Sequence, residues 1–176
     1  MIHMGTITLI TGGARSGKSM QALKLALPYQ RKFFIATGEA LDDEMTARIE
    51  FHRTTRPEDF KTIEEPMNVV AAIERLGNSA DLVVLDCLTL WVSNLMQWHS
   101  TDDGPVLGEA DKLATALKSA LFASIVVTDE VGSGIVPTDH AESRRFRDLL
   151  GWTNQKVASV ADNVLLMVAG YPLSVK

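Results

Sequence analysis

Cysteine is nearly absent from this chain of 176 residues: Cys87 stands alone, so no internal disulfide is available. A single thiol suits a reducing compartment, and a cytoplasmic setting is the expectation. An excess of basic charge is also missing. Lys and Arg number 17 against 22 Asp and Glu, a net charge of −5. That balance argues against a general binder of nucleic acid or anionic membrane, whose footprint is basic. Long apolar runs are missing too. The most apolar stretches, 82–85 and 164–169, fall far short of the roughly 20 residues that span a bilayer, so no stable membrane insertion is expected. The opening Met1-Ile2-His3-Met4-Gly5 lacks the charged and apolar regions of a secretory signal. No internal repeat or low-complexity tract is visible. What remains, 46% hydrophobic and 22% charged, is a globular composition, read as one domain over 1–176.

Short β-branched runs alternate with longer amphipathic stretches. Strands are predicted at 7–11, 33–37, 82–86, 124–128 and 164–168, each apolar on both faces. Helices are predicted near 18–27, 41–54, 67–77, 88–98, 108–122 and 140–160. Polar stretches at 53–59 and 100–105 read as surface loops, and Trp91, Trp98 and Trp152 read as core. This alternation predicts an α/β fold with a mostly parallel sheet. Ligands of such folds collect at the C-terminal ends of the strands.

The first strand runs into Gly12-Gly13-Ala14-Arg15-Ser16-Gly17-Lys18-Ser19, which fits the phosphate-binding pattern Gly-x4-Gly-Lys-Ser without mismatch. Strand, glycine loop and helix together give the pattern its mechanism. Successive backbone N–H groups point into one concavity, and the helix N-terminus adds its positive end. Lys18 would reach the β- and γ-phosphates, and Ser19 would hold Mg²⁺. A nucleoside triphosphate is the expected ligand.

Other strand ends carry carboxylates. Leu82-Val83-Val84-Leu85-Asp86 has the form of a Walker B strand, with Asp86 completing the Mg²⁺ shell. Thr128-Asp129-Glu130-Val131-Gly132 ends a second strand in two acids. These acids either orient Mg²⁺ or an acceptor hydroxyl, or merely begin a turn. On the helix at 41–54, Met45, Ile49 and His52 share one face, a pattern that by spacing favours a core histidine. The neighbouring Arg48, Arg53 and Arg56 pull the other way, toward a second anion site.

With these residues in view, the chain resembles the bifunctional adenosylcobinamide kinase / adenosylcobinamide-phosphate guanylyltransferase family, nearly end to end. The glycine loop is followed by Ile35-Ala36-Thr37, Asp43-Glu44-Met45, Arg48-Ile49, His52-Arg53, Arg56-Pro57, Thr62 and Glu64-Glu65-Pro66. Then come Asp86-Cys87-Leu88-Thr89, Asn94-Leu95 and Glu130-Val131-Gly132-Ser133-Gly134-Ile135-Val136-Pro137. Arg145-Phe146-Arg147-Asp148, Gly151, Asn154-Gln155, Ala158, Ala161-Asp162 and Gly170 complete the series. The segment from His52 to Pro57 and the two later motifs are the specific ones.

The resemblance implies a RecA-like, three-layer P-loop NTPase fold and a homotrimer. It implies phosphorylation of adenosylcobinamide by ATP or GTP, then transfer of GMP from GTP to adenosylcobinamide phosphate through a guanylylated histidine. That histidine falls at His52. It also implies nucleotide contacts at residues 12–19, at Thr37 and Gly38, at Arg53, Thr54, Thr55 and Arg56, and at Glu64 and Asp86. Many relatives carry Asn where this chain has Asp129.

Two alternatives frame this expectation. Another small-molecule P-loop kinase would use Lys18, Ser19 and Asp86 but leave the His52 segment unexplained, and no arginine-rich lid is visible. A GTP-dependent switch would carry an Asn-Lys-x-Asp motif, which Asn154-Gln155-Lys156-Val157 does not supply.

Overall fold

The computed structural model describes residues 5–40, 42–134 and 140–176. Seven strands form one sheet: β1 (Ile7–Gly12), β2 (Lys32–Ala36), β3 (Phe60–Glu64), β4 (Leu82–Asp86), β5 (Ala123–Val127), β6 (Asn163–Val168) and β7 (Tyr171–Ser174). Their order is β3-β2-β4-β5-β1-β6-β7, and only β7 runs antiparallel. Six α-helices connect them: α1 (Lys18–Ala26), α2 (Asp43–Thr55), α3 (Val69–Leu76), α4 (Leu88–Trp98), α5 (Asp103–Ser119) and α6 (Ala141–Val160).

Alternation along the central strands divides the core in two. Val83 and Leu85 of β4 pack with Ile35, Leu9 and Val126 against α3, α4, α5 and α6. Leu82 and Val84 face the other way, with Ile10, Phe34 and Val127, onto Ala22 and Ala26 of α1. Both faces of β4 are therefore covered, as a near-continuous apolar run requires. Each fully buried Leu, Ile or Val contributes about 1.5–3 kcal/mol relative to exposure.

Two strands escape the sequence prediction because they are edges. β3 reads Phe-Lys-Thr-Ile-Glu and is largely exposed, so its composition is mixed. β7 contains Pro172 and is exposed throughout. An edge strand tolerates a residue that cannot donate to the ladder.

Helix limits shift for local reasons. α5 begins at Asp103, inside the stretch read as a loop, because the Asp102 side chain accepts from Gly104 N at 2.9 Å. Pro105 then sits in the first turn, where backbone donors have no intrahelical partner. α2 is capped by Asp42, whose carboxylate accepts from Met45 N at 2.7 Å, and it runs through Thr55. Leu41, which the sequence prediction included in this helix, lies outside the described residues. Ile135, Val136 and Pro137 of the glycine-containing motif also lie outside them, as do Met1–Met4. Of the three tryptophans, only Trp91 is core: it is fully buried and donates from Nε1 to Met67 O at 2.9 Å. Trp98 and Trp152 are exposed, each on the surface of its helix.

Candidate active site

Strand register assembles the site. Glu64, Ala36, Asp86, Val127 and Ile10 lie level across β3, β2, β4, β5 and β1. The glycine loop begins two residues beyond Ile10. Asp129 lies two beyond Val127. Glu64 and Asp86 are two strands apart, roughly 10 Å by ordinary strand spacing.

The loop is shaped by backbone angles that favour glycine. Gly12 has φ 150°, and a Cβ there would come within 2.7 Å of Met167 O. Gly17, at φ 98°, opens α1, and Gly170 N donates to Ser16 O at 3.0 Å from the β6–β7 turn. The hairpin turn thus braces the loop from outside. At the start of α1, Ser19 donates to Asp86 Oδ2 at 3.1 Å. A hydroxyl and a carboxylate, both hard oxygen donors, meet there. The chemistry of this pair fits Mg²⁺, which would draw its other ligands from water and phosphate. No cluster of three His, Cys, Asp or Glu able to hold an ion occurs among the described residues.

A cavity of about 770 Å³ joins this region to α2. Residues 14–19, Gly38, Arg53, Arg56, Glu64, Asp86 and His52 all line it. His52 is exposed rather than core, because α2 buries none of its residues and stands over the strand ends. The helix is seated through Ile49, whose side chain lies against the position a Gly38 Cβ would take. His52 and Arg56 both act electrostatically on Asp86. Burial pushes the Asp86 carboxyl up from the usual carboxylate range. His52, the Ser19 hydrogen bond and Arg56 oppose that shift, while Asp129 reinforces it.

Arg56 is held on a built platform. Its guanidinium lies 3.5 Å from the Phe34 ring centroid and donates to Thr62 Oγ1 at 2.6 Å. Burial works against its charge, and Asp86 offsets part of that cost. Arg53 pairs with Glu64. Phe34 and Thr62 also line the cavity and were not among the expected binding residues. They share strand parity with Asp86 and Glu64, which is the signal that could have found them.

Other expected residues sit differently. Thr37 is fully buried and outside the cavity lining; its hydroxyl donates to Cys87 O at 2.8 Å and accepts from Cys87 N at 2.9 Å. Its carbonyl accepts from buried Asn94 at 2.9 Å, so it braces the β4 tip. Thr54 and Thr55 turn their hydroxyls back to carbonyls of α2. The two acids after β5 divide. Glu130 closes a turn by accepting from Gly132 N at 2.9 Å and Ser133 N at 3.0 Å. Asp129 points into the site, 2.7 Å from Lys18 Nζ.

Sheet order, glycine loop and the Ser19–Asp86 pair define a P-loop NTPase of the RecA-like type. The fold is similar to that of the RadB recombinase, with a TM-score of 0.54 at 16% identity, covering 94% of this chain and 75% of that one. It is also similar to an ATPase of a bacterial type III secretion system, with a TM-score of 0.57 at 13% identity, covering 93% of this chain and 51% of that one. At such identities the likeness concerns the fold alone.

The model of the cobinamide kinase / cobinamide phosphate guanyltransferase family matches residues 8–175, and the chain belongs to this family. It is 38% identical to the bifunctional adenosylcobalamin biosynthesis protein CobU of Escherichia coli (strain K12), over 96% of this chain and 98% of the relative. It is 39% identical to the CobP protein of the same description from Pseudomonas aeruginosa, over 96% of each chain. The Salmonella typhimurium CobU protein is 36% identical, over 96% of this chain and 98% of the relative.

Proposed function

We propose that this chain acts as one domain carrying both activities named for its family. In the first, the hydroxyl oxygen of adenosylcobinamide attacks the γ-phosphorus of ATP or GTP, and the nucleoside diphosphate leaves. In the second, a ring nitrogen of His52 attacks the α-phosphorus of GTP. A P–N bond forms, the bond to the β-phosphate oxygen breaks, and pyrophosphate leaves. A phosphate oxygen of adenosylcobinamide phosphate then attacks the guanylyl phosphorus and releases His52, giving adenosylcobinamide-GDP.

The observation that carries this reading is that His52 and the phosphate loop line the same cavity. A triphosphate seated on residues 12–19 would lie below α2, between Lys18 and the Arg53–Arg56 cations. Splitting one transfer between two anions into two steps is what an enzyme nucleophile achieves. Positive charge from Lys18 and Arg56 stabilises the phosphate oxygens as they rearrange. Mg²⁺, held by Ser19 and Asp86, would add a Lewis acid at those oxygens. Phosphoryl transfer asks for positioning and charge stabilisation more than covalent help.

Intact mass after incubation with GTP and Mg²⁺ but no acceptor, followed by peptide mapping, tests the reading. One GMP, acid-labile and on His52, is expected. GTP binding without any adduct would leave a P-loop kinase alone.

The wider setting is also proposed. A cytoplasmic homotrimer follows from the resemblance, with exposed apolar side chains such as Phe51 and Tyr171 available for contacts between copies. The acidic net charge of −5 supports the expectation that no nucleic acid is bound. No helix among the described residues is long and apolar enough to cross a membrane.

A further inference from the structure

All the N–H donors of Lys18 have acceptors within the protein. A lysine ammonium has three N–H donors. Three acceptors surround this one: Gly12 O at 2.9 Å, Gly13 O at 2.6 Å and Asp129 Oδ1 at 2.7 Å. Two of them belong to the loop itself. The third is a carboxylate sent in from the tip of β5, and the pair is partly enclosed, with side-chain exposures of 11% for Lys18 and 32% for Asp129.

The backbone that carries Asp129 is fixed. Its N–H donates to Thr89 Oγ1 at 2.8 Å, and its carbonyl accepts from Asn154 Nδ2 at 3.2 Å. Next to it, Glu130 N donates to Gly12 O at 3.1 Å, tying the segment to the loop. Only the side chain can turn away. A nucleotide phosphate and Asp129 therefore compete for one ammonium. If Lys18 passes to phosphate, Asp129 loses its cation and faces the phosphate and Asp86, all of one sign. A divalent cation arriving with the nucleotide relieves that repulsion, and a free triphosphate does not.

We propose that Asp129 positions Lys18 and makes the site select metal-loaded nucleotide over the metal-free anion. This rests on the glycine loop being the nucleotide site, as proposed above. On Lys18, Asp129 takes the place that a phosphate oxygen would take. Once displaced, its charge discriminates between the two forms of the incoming ligand.

Calorimetric titration of GTP and of inorganic pyrophosphate tests this, with wild type and Asp129→Asn, each in EDTA and in excess Mg²⁺. The amide preserves size and the backbone clamps, and it removes only the charge. Metal-free GTP and pyrophosphate should bind the variant about tenfold more tightly, the scale of one partly screened charge contact. Mg²⁺-loaded GTP should bind it within about threefold of wild type, so the ratio of loaded to free affinity collapses. A role confined to folding would not move that ratio. Asp129→Ser, which also lacks the charge, should behave the same way, and unchanged thermal melting of both variants would exclude misfolding as the cause. Equal metal-free affinities overturn the proposal. So does a large loss of affinity for the Mg²⁺-loaded form alone, which would make Asp129 a ligand of the cation. If wild type and variant both fail to bind either compound, the glycine-loop assignment fails, and the proposal with it.

Discussion

Replacing His52 with alanine should separate the two reactions. His52 is exposed on a helix with no buried residue, so truncating it removes little packing. Its effect on stability should stay within about 0.5 kcal/mol, as for surface positions without a special role. The Ile49 seat on Gly38 and the Asp42 cap are untouched, so α2 should still close over the cavity. Lys18, Ser19 and Asp86, which serve phosphoryl transfer, lie on other elements. Kinase turnover should therefore remain within about threefold of wild type, the only loss being the electrostatic influence of His52 on Asp86. Guanylyl transfer should fall on the order of 10⁴-fold or more, the scale at which loss of a nucleophile is felt. The assay is two separate initial rates. One is phosphate transfer to adenosylcobinamide from labelled ATP, and the other is pyrophosphate release from GTP with adenosylcobinamide phosphate supplied. Surviving guanylyl transfer would refute the nucleophile assignment. An equal fall in both rates would show that His52 supports the common nucleotide site instead.

The remaining predictions concern the metal, the thiol and the scaffold. Asp86→Asn keeps an oxygen for Ser19 but removes a carboxylate, so the Mg²⁺ concentration for half-maximal kinase activity should rise about tenfold or more; an unchanged titration would reduce Asp86 to a structural cap. The Cys87 thiol is pushed up to about 12, first by burial and then by Asp86, so it should be almost wholly protonated at pH 8. Against an ordinary thiol near 8.5, its thiolate fraction is lower by roughly three orders of magnitude. Iodoacetamide should thus label native protein far more slowly than unfolded protein, and equal rates would contradict the raised thiol of this half-buried residue. Lys32 is buried at the start of β2, paired with Asp59 and 5.3 Å from the Phe60 ring centroid. Asp59→Ala should destabilise by about 1–3 kcal/mol by stranding that ammonium, read as a lower urea midpoint at constant slope, and adding Lys32→Met should recover much of the loss.

What the sequence determined by itself is local. The glycine loop, α1 and β4 are encoded by runs whose spacing and composition force one backbone, so Lys18, Ser19 and Asp86 could be placed without coordinates. The order of His52, Arg53 and Arg56 in one segment was equally visible, and the family resemblance followed from it. The tertiary structure decided the contacts between segments. Spacing favoured a buried His52, and only the stand-off of α2 over the strand ends puts it on the cavity. Thr37 sits at a strand end as expected, yet hydrogen bonds across to Cys87 draw its side chain into the interior. Asp129 and Glu130 are adjacent and chemically alike. They separate beyond the end of β5, where Glu130 accepts from Gly132 N and Ser133 N and closes its own turn while the Asp129 side chain reaches Lys18. Register across five strands, set by burial on both faces of the sheet, brings residues from distant parts of the chain to one row, and no local pattern carries that information.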